Sequence, residues 1–284
     1  MPLVSLTSVL QNTRNRKYAV ASFNVVTLEM VAGVLSAAEA KRSPLIIGLA
    51  ARHIGLVEPW LLAAAIQKGA ERAVGPVVFH LDHAESMEAV RLGVELGCTS
   101  VMVDGSRLSF EENVELTERV VAYAHSKNVS VEAELGAVGG REGEVAGGRA
   151  SNLYTDPQEV REFVRRTNVD ALAVGIGTVH GLYRTAPNLQ FDLLAAIAAE
   201  VDTPLVLHGG TGLSEHDFSR MIDLGISKIN VFTELAVSCS ERLRANLAKH
   251  PAPAGIADIV QGIPQDVSSI AGKLMTTFGS TGRV

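Results

Sequence analysis

PLVLHGGTGLSEHDFSRMIDLGISKINVFT, residues 204–233, contains one full repeat of the fold. An apolar run, PLVLHGG, leads through a glycine-containing loop into SEHDFSRMIDLG, a helical pattern capped by Ser214 and stopped by Gly225. A second β-rich run, KINVFT (228–233), follows at once. Strand, loop, amphipathic helix and strand in this order describe two parallel strands joined by a crossover helix.

The alternation extends in both directions. Strand patterns lie at 18–24 (YAVASFN), 44–50 (PLIIGLA), 76–82 (PVVFHLD), 100–106 (SVMVDGS), 130–136 (SVEAELG) and 171–177 (ALAVGIG), besides the two above. Most are near-continuous in Val, Ile, Leu and Ala, as strands buried on both faces are. Helical patterns fill the gaps at 28–42, 110–127 and 156–166, the last opening with Asp156 as N-cap and Pro157 at the first helical position. Eight such units in 284 residues predict an α/β chain forming one (β/α)8 TIM barrel domain over 1–284. The competing fold, a doubly wound open sheet, usually has fewer units or a second domain, and no Pro/Gly/Ser-rich linker marks one. Extra helices are expected at the N-terminus, within 4–16 and closing the barrel bottom, and at the C-terminus, within 252–284.

Composition narrows the function. At 47% hydrophobic residues the chain can bury a large core, and its net charge of −6 argues against nucleic acid or an anionic membrane surface as the main partner. Two distant cysteines, Cys98 and Cys239, suggest neither a disulfide framework nor a zinc knuckle and fit a reducing cytosol. No signal-peptide pattern and no bilayer-length apolar run is visible, so a cytoplasmic location is expected.

Barrel chemistry occurs at the C-terminal strand ends. Those ends read Asn24, Asp82 with His83, Asp104, Glu134, His180, His208 and Asn230. Three of the eight histidines, His83, His180 and His208, follow strands three, six and seven. Imidazole suits zinc, and catalytic zinc keeps three protein ligands and an open position, so a metal site is preferred over three satisfied polar histidines. His80 points to the same face as Asp82, as a core histidine or a supporting partner. Asp104 and Glu134 either orient the ligands or hold the metal in an alternative position. His125, late in a helix, reads as a dipole-compensating surface residue, and His53, His216 and His250 read as structural.

Two loops suit a phosphate. Gly209, Gly210 and Thr211 precede a capped helix, and Asn230, Val231, Phe232 and Thr233 lead straight into another. The loops after strands seven and eight form the usual phosphate site of this fold, while the competing reading is a glycine turn needed only for backbone geometry. GIGTVHG (175–181) is GxGxxxG and opens no helix, so it is no dinucleotide fingerprint. The stretch 137–155, AVGGREGEVAGGRASNLYT, is too glycine-rich and long for an ordinary connection and reads as a mobile active-site lid or a plain surface loop. A metal beside an ionisable Asp and a phosphate pocket suggests carbon–carbon chemistry on a phosphorylated keto sugar. A metal-hydroxide hydrolase is the rival. No lysine lies at a strand C-terminus, and Lys228 is read as the start of strand eight, so an imine route is disfavoured.

HLDHAES, SVMVDGS, VEAELGAVGG, GTVHGLY, LHGGTG and KINVFTE, in this order, resemble the class II metal-dependent ketose-bisphosphate aldolases, closest to the tagatose- and fructose-bisphosphate group, from AVASFN to FGSTGR. The resemblance implies reversible cleavage of a ketose 1,6-bisphosphate to dihydroxyacetone phosphate and an aldehyde through a metal-stabilised ene-diolate, as in glycolysis and related carbohydrate metabolism. It implies one catalytic zinc per subunit on His83, His180 and His208, and Asp82 as acid/base on the C4 hydroxyl. It implies dihydroxyacetone phosphate on Gly181, Gly209 to Thr211 and Asn230 to Thr233, with Asn24 lining the site. Gly181 and Gly209 would also offer carbonyls to a monovalent cation, Na+ or K+. Glu142 would move the dihydroxyacetone-phosphate proton. Relatives act as homodimers or homotetramers, some with an accessory subunit, and some cleave a deoxy-keto-gluconate phosphate. Two departures stand out. Phe232 replaces a frequent Asp, Asn or Ala, and Ala50-Ala51-Arg52 replaces a stretch often rich in Ser, Gly or Thr.

Overall fold

The computed structural model describes residues 3–139, 154–181, 183, 187–250, 253 and 255–284. Eight parallel strands close into a barrel in sequence order, the eighth pairing with the first. Along the chain run α1 (Leu6–Leu10), α2 (Thr13–Arg16), β1 (Val20–Asn24), α3 (Leu28–Lys41) and β2 (Leu45–Ala50). A 3-10 turn (Ala51–Leu56), α4 (Pro59–Arg72), β3 (Val77–Ala84), α5 (Met87–Glu95), β4 (Ser100–Val103) and α6 (Phe110–His125) follow. Then come β5 (Ser130–Leu135), α7 (Pro157–Thr167), β6 (Ala171–Val174), α8 (Phe191–Glu200) and β7 (Leu205–Leu207). The chain ends with α9 (Glu215–Asp223), β8 (Ile226–Val231), α10 (Thr233–Lys249), α11 (Ile256–Val260) and α12 (Ile263–Thr277).

The expected TIM barrel is therefore present, with its extra helices at both ends. Leu6, Val9 and Leu10 of α1 plug the N-terminal mouth, packing on Val20, Ile46, Val78 and Met102. The larger apolar cluster fills the layer between strands and helices. Above the plug the barrel interior turns polar, with Ser22, His80, Ser100, Glu132 and Lys228 all buried. Lys228 corrects the sequence reading: β8 begins at Ile226, so the lysine lies inside the strand and points into the barrel. No helix among the described residues is long and apolar enough to cross a membrane.

Candidate active site

β3 presents two neighbouring side chains to one cavity, which a regular strand cannot do, because its side chains alternate between faces. The strand solves this with a bulge: Leu81 pairs with Val101, yet Ala84 pairs with Val103, three residues advancing against two. His83 sits in the irregularity at φ 51°, a left-handed conformation costly for a residue with a Cβ. Asp82 keeps its inward direction and His83 is turned in beside it.

The other histidines arrive separately. His208 follows β7 directly. His180 lies beyond β6 and is held by its backbone, whose N–H donates to the Gly139 carbonyl at 2.7 Å. One ring nitrogen from each of His83, His180 and His208 can be chosen so that all lie within 4.8 Å of one another. His83 Nε2 and His180 Nε2 are buried without a hydrogen-bond partner. Buried, unsatisfied imidazole nitrogens converging on one point suit a divalent cation, since leaving them unpaired is costly. A second group, His83, Asp104 and Glu134, meets the same spacing.

Carboxylates surround the histidines. Asp104 Oδ2 lies 2.8 Å from His83 Nδ1, while its Oδ1 accepts from the Ser106 N–H and hydroxyl. Asp82, fully buried, accepts from Asn24 Nδ2 at 2.7 Å and Asn230 Nδ2 at 3.1 Å. Burial opposes charge on Asp82, but His83, His80 and His208 outweigh it and hold its carboxyl well below the usual range. Burial likewise opposes a charged His83, yet Asp82, Asp104 and Glu134 raise it well above the ordinary imidazole value. Burial, then the charge of Asp104, pushes Glu134 up to about 8. Glu134 Oε1 accepts from the Val138 N–H, and its Oε2 is buried without a partner.

Beneath this layer lies Glu132, which the sequence reading missed, with His80 buried beside it in one of the two places read for it, as a core or supporting histidine. Lys228 Nζ donates to Glu132 Oε2 at 2.6 Å and approaches His80 Nε2 at 3.4 Å. Glu132 Oε1 lies 2.9 Å from His208 Nε2, and His80 Nδ1 lies 2.9 Å from Ser100 Oγ. His80 Nε2 is 3.7 Å from Asp82 Oδ1, too far for a hydrogen bond. Despite burial, Lys228 and His208 hold Glu132 at about 2. The available signal was SVEAEL itself, where Glu132 shares the inward face of Glu134.

The glycine loop after β7 is tight. Gly209 has φ +72°, and a Cβ there would meet the Val179 carbonyl oxygen at 2.5 Å. Tyr183 Oη donates to the Gly209 carbonyl at 2.7 Å. Gly181, Gly210, Thr211 and Val231 are buried with it. Thr233 opens α10, whose N-cap Phe232 makes no side-chain cap hydrogen bond, whereas Ser214 caps α9 fully. His53 packs its buried ring 4.8 Å from the Phe232 ring, and its Nδ1 makes no hydrogen bond among the described residues. His125 Nε2 lies 2.9 Å from Asp170 Oδ2 at the end of α6. Glu142, and residues 140–153 of the glycine-rich stretch, lie outside the described residues.

Comparison with known proteins gives a consistent picture. The family model "Fructose-bisphosphate aldolase class-II" matches residues 4–283. A protein of Geobacillus stearothermophilus named fructose-bisphosphate aldolase is 42% identical over 289 residues, covering 100% of this chain and 99% of that one. The crystal structure of the YdjI aldolase from Escherichia coli K12 superimposes with TM-score 0.87 at 34% identity, covering 99% of each chain. That of the fructose-bisphosphate aldolase from Campylobacter jejuni, at 21% identity and TM-score 0.82 over 100% of this chain and 97% of that one, shares the fold.

Proposed function

The chain belongs to the class II fructose-bisphosphate aldolase family and is a lyase that cleaves a ketose bisphosphate, and from that premise we propose that it is a zinc-dependent aldolase releasing dihydroxyacetone phosphate. The convergence of His83, His180 and His208 carries this reading. When bound there, zinc supplies a Lewis acid for the ketone oxygen and for the charge that develops on it. Asp104 and Glu134 support the cluster from behind or take the ion in a second position.

The chain's own residues do the rest. Asp82 takes the C4 hydroxyl proton in cleavage and returns it to the aldehyde oxygen in condensation. Asn24 and Asn230 aim its two oxygens. Glu142, on the 137–155 stretch that we propose as a lid, moves the proton at the dihydroxyacetone-phosphate carbon. Gly181, Gly209, Gly210 and Thr211, with Asn230 to Thr233 at the uncapped start of α10, bind the phosphate through backbone N–H groups and the helix dipole. Gly181 and Gly209 carbonyls suit a monovalent cation. We propose one barrel domain acting in the cytoplasm as a homodimer or homotetramer, with an accessory subunit as the alternative assembly.

A ketose 1,6-bisphosphate, of the fructose or tagatose configuration, is the first substrate class to assay. Phe232 and Ala50-Ala51-Arg52 depart from the residues frequent in the family, so a deoxy-keto-gluconate phosphate belongs in the same panel. Chelation abolishes cleavage in this reading and zinc restores it. Activity that survives complete metal removal rejects it.

A further inference from the structure

The buried ion pair under the site has no assigned role. Lys228, Glu132, His80, Ser100 and His208 are each 0% exposed and come from β8, β5, β3, β4 and the end of β7. Stability does not explain the pair, because desolvating two charges roughly cancels their attraction, and apolar replacements of similar volume are often neutral or stabilising. Donor logic does explain it. An ammonium only donates. Lys228 therefore makes Glu132 Oε2 an acceptor at 2.6 Å. A carboxylate accepting at one oxygen and sharing no proton accepts at the other, so the hydrogen on the 2.9 Å contact belongs to His208 Nε2. Asn230 Nδ2 donates to Asp82 Oδ1 at 3.1 Å and stands 3.4 Å from His208 Nδ1, a longer contact that a metal on Nδ1 would replace. The Glu132 contact selects the tautomer: proton on Nε2, lone pair on Nδ1.

We propose that Glu132 and Lys228 are positioning residues that lock His208 with its Nε2–H on Glu132 and its Nδ1 lone pair presented to the metal cluster. The use of that lone pair rests on the zinc reading above, while the lock itself exists without metal. Lys228 keeps Glu132 an obligate acceptor. Glu132 fixes ring orientation and makes the imidazole a stronger donor, as carboxylates behind zinc histidines do. The 3.4 Å approach of Lys228 to His80 Nε2 orders the same layer, leaving His80 Nδ1–H for Ser100.

Two measurements test this. Ring-15N NMR of the metal-free wild-type protein should find His208 protonated at Nε2 and bare at Nδ1. A proton on Nδ1, or an even tautomer mixture, overturns the lock whether or not any variant folds. The double variant Glu132→Gln/Lys228→Met removes both charges together, so no buried charge is left alone. It should unfold near the wild-type temperature yet bind zinc about 10- to 100-fold more weakly in a chelator competition, the usual cost of losing such support. Wild-type zinc affinity in the folded double variant overturns the proposal. Absence of zinc binding by the wild type instead rejects the zinc reading, and the tautomer result still judges the lock.

Discussion

Asp82 receives hydrogen bonds from two buried amides, Asn24 and Asn230. In the mechanism proposed above, that environment holds the carboxylate ready as a proton acceptor. Asp82→Ala should keep zinc, whose three imidazoles are untouched, and lose turnover by about 10²- to 10⁴-fold, the usual share of a positioned acid/base. Zinc content and kcat measured on one preparation check it. His53 gives a pH-dependent prediction. Burial first, then the Arg52 charge, lowers its pKa from 6.5 to about 4, with Asp82 opposing. Above pH 6.5 the ring is neutral folded or unfolded. As pH falls from 6.5 toward 4 the unfolded chain takes the proton and the folded chain does not, so stability is lost across that window. Urea midpoints at pH 7 and pH 5 should therefore diverge more in the wild type than in His53→Gln. Equal losses in both would remove His53 as a contributor.

At the scale of the element, the strands place the chemistry by departures from regularity. The bulge in β3 aims Asp82 and His83 together, and Gly48 in β2 leaves room for the Asn24 side chain. A Cβ at Gly48 would stand 2.0 Å from Asn24 Oδ1, so Gly48→Ala must displace that amide and its hydrogen bond to Asp82. Overpacking of this kind costs about 1–3 kcal/mol. The expected signature is a fall in kcat larger than any change in KM, with a lowered unfolding midpoint. An unchanged kcat would show that Asn24 does not aim Asp82. These devices explain what could be read in the sequence. Apolar runs and caps gave all eight strands and the Asp156 and Ser214 helix starts, because periodicity and capping are local. The bulge is a property of pairing with β4 and leaves no local mark. Lys228 opens the β-rich run KINVFT and so reads as a strand's first residue, whereas its burial depends on a partner, Glu132, that lies 96 residues away.

Across the whole molecule, the three histidines join parts of the barrel that are far apart in sequence: the bulge of β3, the segment beyond β6, and the end of β7. The strand-end pattern was legible because the barrel brings such ends to one face, whereas the N-terminal plug of Leu6, Val9 and Leu10 supplies stability at the other. An ion held by all three histidines binds only the closed barrel, so its binding energy adds to folding energy. At free zinc of about 100 times Kd, this linkage contributes roughly 2.7 kcal/mol. For a chain of this size each kcal/mol moves Tm by about 2–4 °C, so chelation should lower Tm by roughly 5–10 °C. The triple change His83→Ala/His180→Ala/His208→Ala should have a Tm that ignores chelator altogether. A wild-type Tm equally indifferent to chelator would mean that the three imidazoles converge without holding a metal, and the zinc-dependent mechanism would fall with it.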